Sequence, residues 1–309
     1  MILYNMKKII LNIAALILAI FYLQSCNLSQ QHAVNELFPN PSDTSKLLVF
    51  TARLSPLKIS QIISKKSINH IGEQRPGGDP EKLQNGKDYR DYHFSNTVLK
   101  GIQAQDCDFR GSYFKAAKCN IADFSFSDFR VADLESAEFN KATLNNCNFD
   151  QASLFFLHAN NALLDYTSFR GANMFGVYAN NSSFRYCNLS KTLLRDTQIA
   201  DADFTGSIIL KTNFIASILT GAKMDSTDCS YSLFIGASLE DASFINARLH
   251  SAKFQGANLV NANFTGADLK GCDFIGAEFD HTLFTNAINI PKELKDKMVD
   301  DSYSGVLYK

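Results

Sequence analysis

Residues 252–274 read AKFQGANLVNANFTGADLKGCDF, and a large apolar residue recurs at every fifth position of this stretch. The same register runs from Phe94 to Phe284, where 34 of 39 such positions are Phe, Leu, Ile or Met. Two residues earlier, the chain almost always has Ala, Ser, Thr, Cys or Val. Because the register never shifts, these residues form one uninterrupted structural unit within the 309-residue chain.

A period of five fits neither of the two common elements. An α-helix advances about 100° per residue, so five-residue steps would spread the large side chains around the helix. A strand alternates its faces, so an odd period would send successive large side chains to opposite sides. A chain that turns a corner every five residues points them all inward, and four corners close a square coil. The 11 glycines of residues 92–287 share one phase, which predicts corners with positive φ.

These residues resemble the pentapeptide repeat proteins, whose unit is roughly Ala, Asp or Asn, Leu or Phe, then two variable positions. Residues 257–259 (Ala-Asn-Leu) and 267–269 (Ala-Asp-Leu) match that unit fully, and the pattern covers residues 92–287. The resemblance implies an all-β fold, a right-handed quadrilateral β-helix of about ten coils and on the order of 45 Å in length. Its open ends would need covers, because they expose unpaired backbone groups.

The flanking segments are predicted to supply those covers. Residues 26–91 are predicted to be a polar tether followed by a small N-terminal cap. The part after the tether is interpreted as a cap because its roughly 45 residues are too few to bury a core alone. Residues 288–309 read as a C-terminal capping helix and tail. That helix, PKELKDKMV, has Pro291 at its first position and an apolar pair, Leu294 and Met298, four residues apart. The alternative is a partner-binding helix.

Residues 1–25 are predicted to be a signal peptide, because Lys7 and Lys8 precede an apolar run that ends just before Cys26. The run Leu-Gln-Ser-Cys at residues 23–26 resembles a bacterial lipoprotein signal. The resemblance implies lipid attachment at Cys26 and a membrane-anchored lipoprotein of the bacterial cell envelope, facing the periplasm or the exterior. The alternatives are an ordinary signal peptide cut near Ser25 and an uncleaved anchor helix.

The other six cysteines all fall at inward phases. Cys107, Cys147 and Cys187 are spaced by 40 residues, which is two coils or about 9.6 Å. A disulfide needs Cα atoms closer than about 7 Å. We therefore predict buried free thiols that pack as small hydrophobes.

Several classes of function are disfavoured by composition and motifs. A formal net charge of −1 provides no strong field for nucleic acid. The six histidines share no metal-ligand spacing, and no phosphate loop or nucleophile elbow stands out. Asp residues such as Asp123, Asp128 and Asp133 occupy the ordinary Asp or Asn position of the repeat. We expect no enzyme activity, no cofactor, no metal site and no small-molecule substrate.

Functional information is then expected on the outward columns, whose members are 20 residues apart. One column contains apolar residues at an outward phase, interrupted by Arg195 and Gln255, and predicts an interaction face: Phe155, Phe175, Ile215, Ile235 and Ile275. The alternatives are that flanking segments cover this column or that its side chains pack on one another.

Two further columns have simpler structural interpretations. Asn120, Asn140, Asn160 and Asn180 predict a ladder of amides that bond coil to coil. Arg110, Arg130 and Arg170, with Asp150 among them, are more typical of a solvated face than of an anion site.

Two functions therefore remain. The preferred hypothesis is a non-catalytic, lipid-anchored envelope scaffold that presents a flat face to an unknown protein partner or to a second copy in a homodimer. The alternative is a DNA mimic acting on a topoisomerase, as the family resemblance implies for some members. Mimicry requires a cytoplasmic location and a strongly acidic surface, whereas residues 92–287 have a net charge of only −5 and the N-terminal segment predicts export.

Overall fold

The structure is a computed structural model, and it describes the backbone of residues 83–299 and the side chains of residues 83–295. The predictions for the signal peptide, Cys26, the tether and most of the N-terminal cap lie outside the described residues, as does the C-terminal tail.

Parallel β-bridges join residues that are 20 positions apart along the whole described column. The series begins with Asp88 and Asp108 and ends with Asp268 and Ile288. Each bridge is isolated, so residues 83–299 contain bridges but no longer strands. The 20-residue offset confirms an all-β solenoid with four sides of five residues per coil. Bridging starts four residues before position 92, and the right-handedness of the coil stays a prediction.

Backbone hydrogen bonds run along the axis and fix the spacing of the coils. The Phe94 N–H donates to the Tyr113 carbonyl at 2.7 Å, and the Tyr113 N–H donates back to the Tyr92 carbonyl at 2.9 Å. The same two bonds recur around the coil, for example from Phe234 to Lys253 and from Lys253 to Ser232. Backbone groups buried beside the core are thereby paired, as they must be in the absence of water.

The corners have positive φ at every residue whose number ends in 1 or 6, from Asp91 to Asn286. Many close with a bond such as Ala117 N–H to the Phe114 carbonyl, 2.9 Å, and a positive φ at the third residue defines a type II turn. The phase shared by the 11 glycines predicts this positive φ, which is confirmed, although most corner residues are not glycine. Ile121, Phe126 and Tyr186 have φ of 60°, 65° and 57°, a conformation that costs roughly 1–2 kcal/mol per residue.

The core contains two inward side chains per side of the coil, one large and one small, and nearly all are buried. Phe109, Phe129, Phe149 and Phe169 stack in one file with ring centroids 4.8, 4.8 and 5.3 Å apart. Stacking follows the coil spacing, because identical side chains at 20-residue steps face one another. Each buried Phe or Leu contributes roughly 1.5–3 kcal/mol before the loss of chain entropy is counted.

Buried hydroxyls connect coils at several small inward positions. The Ser207 hydroxyl donates to the Phe184 carbonyl at 2.6 Å and accepts the Cys187 N–H at 2.8 Å, so it stands where a direct turn bond would otherwise form. Thiols use the same carbonyl site, as in the contact of Cys187 Sγ with the Leu164 carbonyl at 3.0 Å. All six cysteines of the described region are buried and free, which confirms the prediction.

A helix, α1, spans Lys292–Val299, within the segment where the sequence predicts it. The carbonyl of Pro291 accepts the Leu294 and Lys295 N–H groups at 3.1 Å each. Ile290 and Leu294 belong to the same buried apolar cluster as the column. The role of α1 as a lid stays a prediction. None of the helical structure within residues 83–299 is long and apolar enough to cross a membrane.

Gly206 and Gly236 provide a test of how corners are packed. A Cβ on Gly206 would lie 2.5 Å from the Tyr186 ring, whereas a Cβ on Gly236 would meet nothing within 4 Å. Both residues have positive φ, so each Gly→Ala change has a similar backbone cost, about 1 kcal/mol. Gly206→Ala must also displace the ring and should lose about 1 kcal/mol more in urea denaturation. Equal losses for the two variants, or a difference that persists with Tyr186→Ala, would contradict this account.

Candidate interaction surfaces

Outward Asp and Asn residues hold the backbone of the corners. Asn213 Oδ1 accepts the Ile215 N–H at 3.0 Å, and Asp203 Oδ1 accepts the Thr205 N–H at 2.9 Å. The Asp or Asn position of the repeat thus caps the N–H two residues later, which no bridge uses. Asp123, Asp128 and Asp133 all make this contact, with Ser125, Arg130 and Glu135 respectively. The structure therefore assigns these carboxylates to turn geometry.

The asparagine column is an amide ladder, as the sequence predicts. Asn120 Oδ1 accepts the Asn140 backbone N–H at 3.0 Å and its side-chain Nδ2–H at 3.1 Å. Asn140 accepts both groups of Asn160 in the same way, and Asn160 and Asn180 accept the backbone N–H of the next coil. These amides satisfy corner N–H groups from one coil to the next.

The arginine column is paired with carboxylates. Arg110 and Arg130 each bind the Asp two residues earlier, with closest contacts of 2.6 Å to Asp108 and Asp128. Arg170 binds Asp150 of the preceding coil at 2.5 Å. Because each guanidinium faces a carboxylate, this side of the column is close to neutral and has no concentrated field for an anion.

Asp165 and Arg185 form the corresponding pair on another side. Two guanidinium nitrogens, Nε and Nη2, donate to Asp165 Oδ2 at 3.0 and 2.5 Å, and the Ser183 hydroxyl donates to Oδ1 at 2.5 Å. Burial alone would raise the pKa of Asp165, but the hydrogen bonds from Arg185 and Ser183 outweigh it and the pKa is lowered. The ionised carboxylate therefore stabilises the fold.

The lowered pKa of Asp165 predicts a dependence of stability on pH. A depressed carboxyl pKa stabilises the fold above about pH 4, the unfolded value, and this contribution is lost as pH falls through the folded value. Arg185→Gln should lower the free energy of unfolding at pH 7 and make the decline below about pH 4 shallower. Urea denaturation at several pH values measures both. Arg195→Gln is the control, because its pair with Asp196 is exposed on both sides and should change stability by under about 0.5 kcal/mol.

The predicted interaction face is half-buried over most of its length. Phe155, Phe175, Ile215 and Ile235 are each partly covered, whereas Ile275 is 73% exposed. Phe155 stacks on Phe175 with centroids 5.3 Å apart. Side-chain packing within the column therefore accounts for part of the burial, which was one of the alternatives. The outer surface of this column of residues is apolar except at Arg195 and Gln255.

Three further residues extend this surface, and the sequence analysis did not include them. Leu193 and Leu233 are half-buried in the neighbouring outward column of the same side. Phe156, 38% exposed, occupies the adjoining corner with its ring centroid 4.4 Å from that of Phe155. Twenty-residue steps along the neighbouring columns would have revealed them. We define the apolar face as these three residues together with Phe155, Phe175, Ile215, Ile235 and Ile275.

Two other features have a structural explanation. Tyr166 and Tyr186 are exposed at one corner, but their rings stack on each other at 5.2 Å and Tyr186 covers Gly206, so one face of Tyr166 and both faces of Tyr186 are in contact with the chain. A cavity inside the column is lined only by apolar side chains, among them Phe139 and Leu154, and has a volume of about 10 Å³. A space of that size holds at most one water molecule.

Within residues 83–299 no group of His, Cys, Asp and Glu is arranged to hold a metal ion.

Comparison with known proteins is informative about the repeat. Residues 117–154, 172–209, 222–261 and 247–286 match the family model described as pentapeptide repeats, in eight copies. No curated protein matches the chain in sequence.

Three solved structures illustrate the similarity. HetL from the cyanobacterium Nostoc sp. strain PCC 7120, involved in the regulation of heterocyst differentiation, is 23% identical over 71% of this chain and 95% of its own, with a TM-score of 0.41. A trypsin-treated variant of QnrB1, a plasmid-mediated fluoroquinolone resistance protein, is 19% identical over 66% and 85%, with a TM-score of 0.27. A thylakoid-lumen protein of Arabidopsis thaliana is 19% identical over 41% and 77%, also with a TM-score of 0.27.

Proposed function

The repeat region of this chain belongs to the pentapeptide repeat family, and from that premise we propose that the protein is a non-catalytic scaffold of the bacterial cell envelope. In this proposal lipid on Cys26 anchors the chain to a membrane, facing the periplasm or the exterior, and the column presents the apolar face to another protein. The observation that carries the proposal is the set of apolar side chains along one flat side, which is interrupted by Arg195 and Gln255.

A flat, apolar side suits a protein partner for a physical reason. Each coil adds about 4.8 Å, so the stretch from Phe155 to Ile235 is roughly 19 Å long with a nearly flat outline. Apolar patches on the surface of a soluble domain commonly mark an interface, and here Arg195 separates the patch at Phe155 and Phe175 from the patch at Ile215 and Ile235. A partner would cover the outer edges of Ile215 and Ile235 and gain roughly 25 cal/mol per Å² of apolar area removed from water.

The DNA-mimic alternative has less support from the surface. Mimicry needs an extended negative field. Asp88, Asp108 and Asp128 stand in one outward column, but Arg90, Arg110 and Arg130 bind them at 2.6 Å each. These three carboxylates are therefore neutralised.

Replacement of two outward isoleucines tests the apolar face. We expect Ile215→Ser with Ile235→Ser to abolish co-purification of the partner from solubilised envelopes, because the apolar contact area is lost. Affinity capture with quantitative mass spectrometry measures this. Ile245→Ser is the matched control, because Ile245 is half-buried at the same repeat phase on another side. Proteins captured equally by wild type and the double variant would refute the role of the apolar face.

The anchor is tested separately. Cys26→Ala should move the chain from the membrane fraction to the soluble fraction, because one residue carries the lipid in this proposal and stable anchoring depends on the acyl chains. Metabolic labelling with a fatty-acid analogue should mark the wild type only. An unlabelled wild type whose fractionation Cys26→Ala does not change would contradict lipid attachment and favour an uncleaved anchor helix.

A further inference from the structure

A second side of the column has its charges separated toward the two ends. We define the charge-segregated face as residues 98, 100 and 101 together with those at 20-residue steps from them. Near the N-terminal end it contains three exposed lysines, Lys100, Lys118 and Lys141. Toward the C-terminal end it contains five exposed acidic residues and no Lys or Arg: Asp201, Glu240, Asp241, Glu278 and Asp280.

None of these eight charged side chains forms an ion pair with another side chain of residues 83–295. Glu138 is the one carboxylate at the basic end, and it accepts a hydrogen bond from Asn120 at 2.8 Å. The arginines of other sides, with the exception of Arg248, are paired within the described residues, as Arg110 is with Asp108. The charges of this face are therefore available to a partner.

The middle of the face is neutral. Asn140, Asn160 and Asn180 use their side-chain oxygens to bond the next coil. The face thus reads basic, neutral and acidic from the N-terminal end to the C-terminal end. A surface with this order is complementary to itself when reversed.

We propose that two copies of this chain associate antiparallel through the charge-segregated face. A two-fold axis that lies in the interface and crosses the column at right angles reverses the column but keeps each file opposite its own copy. Lys100 then faces Asp280 of the second copy, because the two residues are nine 20-residue steps apart in the same file. Lys141 faces Asp241 of the second copy, because both belong to the file of corner residues.

The two contacts require the same axis position. The midpoint of residue numbers 100 and 280 is 190, and the midpoint of 141 and 241 is 191. The pair Asn140 and Glu240 also has its midpoint at 190, and the pair Asn181 and Asp201 has its midpoint at 191. One axis between the coils of Asn180 and Ala200 therefore satisfies all four pairs. A parallel arrangement would instead oppose like charges, which is unfavourable.

The size of the face predicts a weak, salt-sensitive dimer. Ten coils at about 4.8 Å and a side about 13 Å wide give roughly 600 Å² per copy. The total of about 1,200 Å² lies at the low end for specific interfaces. Charge complementarity then sets the orientation of the two copies, and salt screens it.

A lipid surface fits this face less well than a second copy. Anionic headgroups would attract the three lysines but repel the five carboxylates of the same flat side. The inference does not depend on the apolar face, which lies on another side of the column and is tested by different residues.

Sedimentation velocity of the purified full chain in a non-ionic detergent tests the dimer. We expect a monomer–dimer equilibrium whose Kd rises about tenfold or more between 0.05 and 0.5 M NaCl, because screening removes the charge contacts. Lys100→Glu with Lys141→Glu should abolish the dimer, and so should Asp241→Lys with Asp280→Lys. The four changes together should restore it, because the complementary pairs are exchanged. Lys191→Glu with Lys211→Glu, exposed on another side, is the matched control and should have no effect.

Zero-length carbodiimide coupling tests the orientation in the unmodified protein. Mass spectrometry should identify amide links from Lys100 to Asp280 and from Lys141 to Asp241. Nine coils, about 43 Å, separate the first pair within one chain, so that link must join two copies.

Four results would overturn the proposal: a monomer at all concentrations at low salt, a dimer that the charge reversals leave intact, a combined variant that stays monomeric, or links between like ends only. Binding of anionic phosphatidylserine vesicles by a chain that stays monomeric would assign the lysines to a membrane instead. The two proposals are distinguished by their variants. The charge reversals should abolish the dimer and leave partner capture unchanged, whereas Ile215→Ser with Ile235→Ser should abolish partner capture and leave the dimer unchanged.

Discussion

The hydrogen bonds between backbone groups about 20 residues apart are the constraint on which the rest of the structure depends. They repeat on each side of each coil, and they fix both the spacing of the coils and the alignment of equivalent side chains. Because alignment is exact in sequence number, a side chain always faces the one 20 residues later. Phenylalanines stack on phenylalanines, amides bond amides and corner residues cover the corners that follow.

The same constraint explains why many corners tolerate bulky residues in a strained conformation. A positive φ is imposed on Ile121, Phe126 and Tyr186 by the coil, although each would avoid it in isolation. The bonds on either side and the buried core must outweigh that cost at every corner. Stability is therefore distributed over neighbouring coils, as in other solenoids, and no single contact decides the fold.

Function is expected on the surface, because the interior of the column is filled. The cavity among Phe139 and Leu154 is too small for a ligand, and the carboxylates of the repeat are used by the corners. Within residues 83–295, the scaffold does not explain the apolar face or the charge-segregated face. They lie on different sides of the column, so different residues test them.

The repeat, the coil length, the inward positions and the free thiols could all be predicted from the sequence. Period five is visible in residues 252–274 alone, and geometry leaves few structures that fit it. The amide ladder of Asn120 to Asn180 was also predictable, because column membership follows from sequence number. The sequence also determined which residues share a side, including the separation of lysines from carboxylates on one of them.

Other features depended on side-chain directions that only the tertiary structure decided. Arg110 binds the carboxylate two residues earlier in its own coil, whereas Arg170 binds one in the preceding coil, and the pattern of residue types does not distinguish these choices. The rings of Phe155 and Phe175 stack on each other and are half-buried, whereas Ile275 is exposed. A periodic backbone fixes the position of each Cβ atom, but contacts with neighbouring side chains and with water determine the rotamer that each side chain adopts.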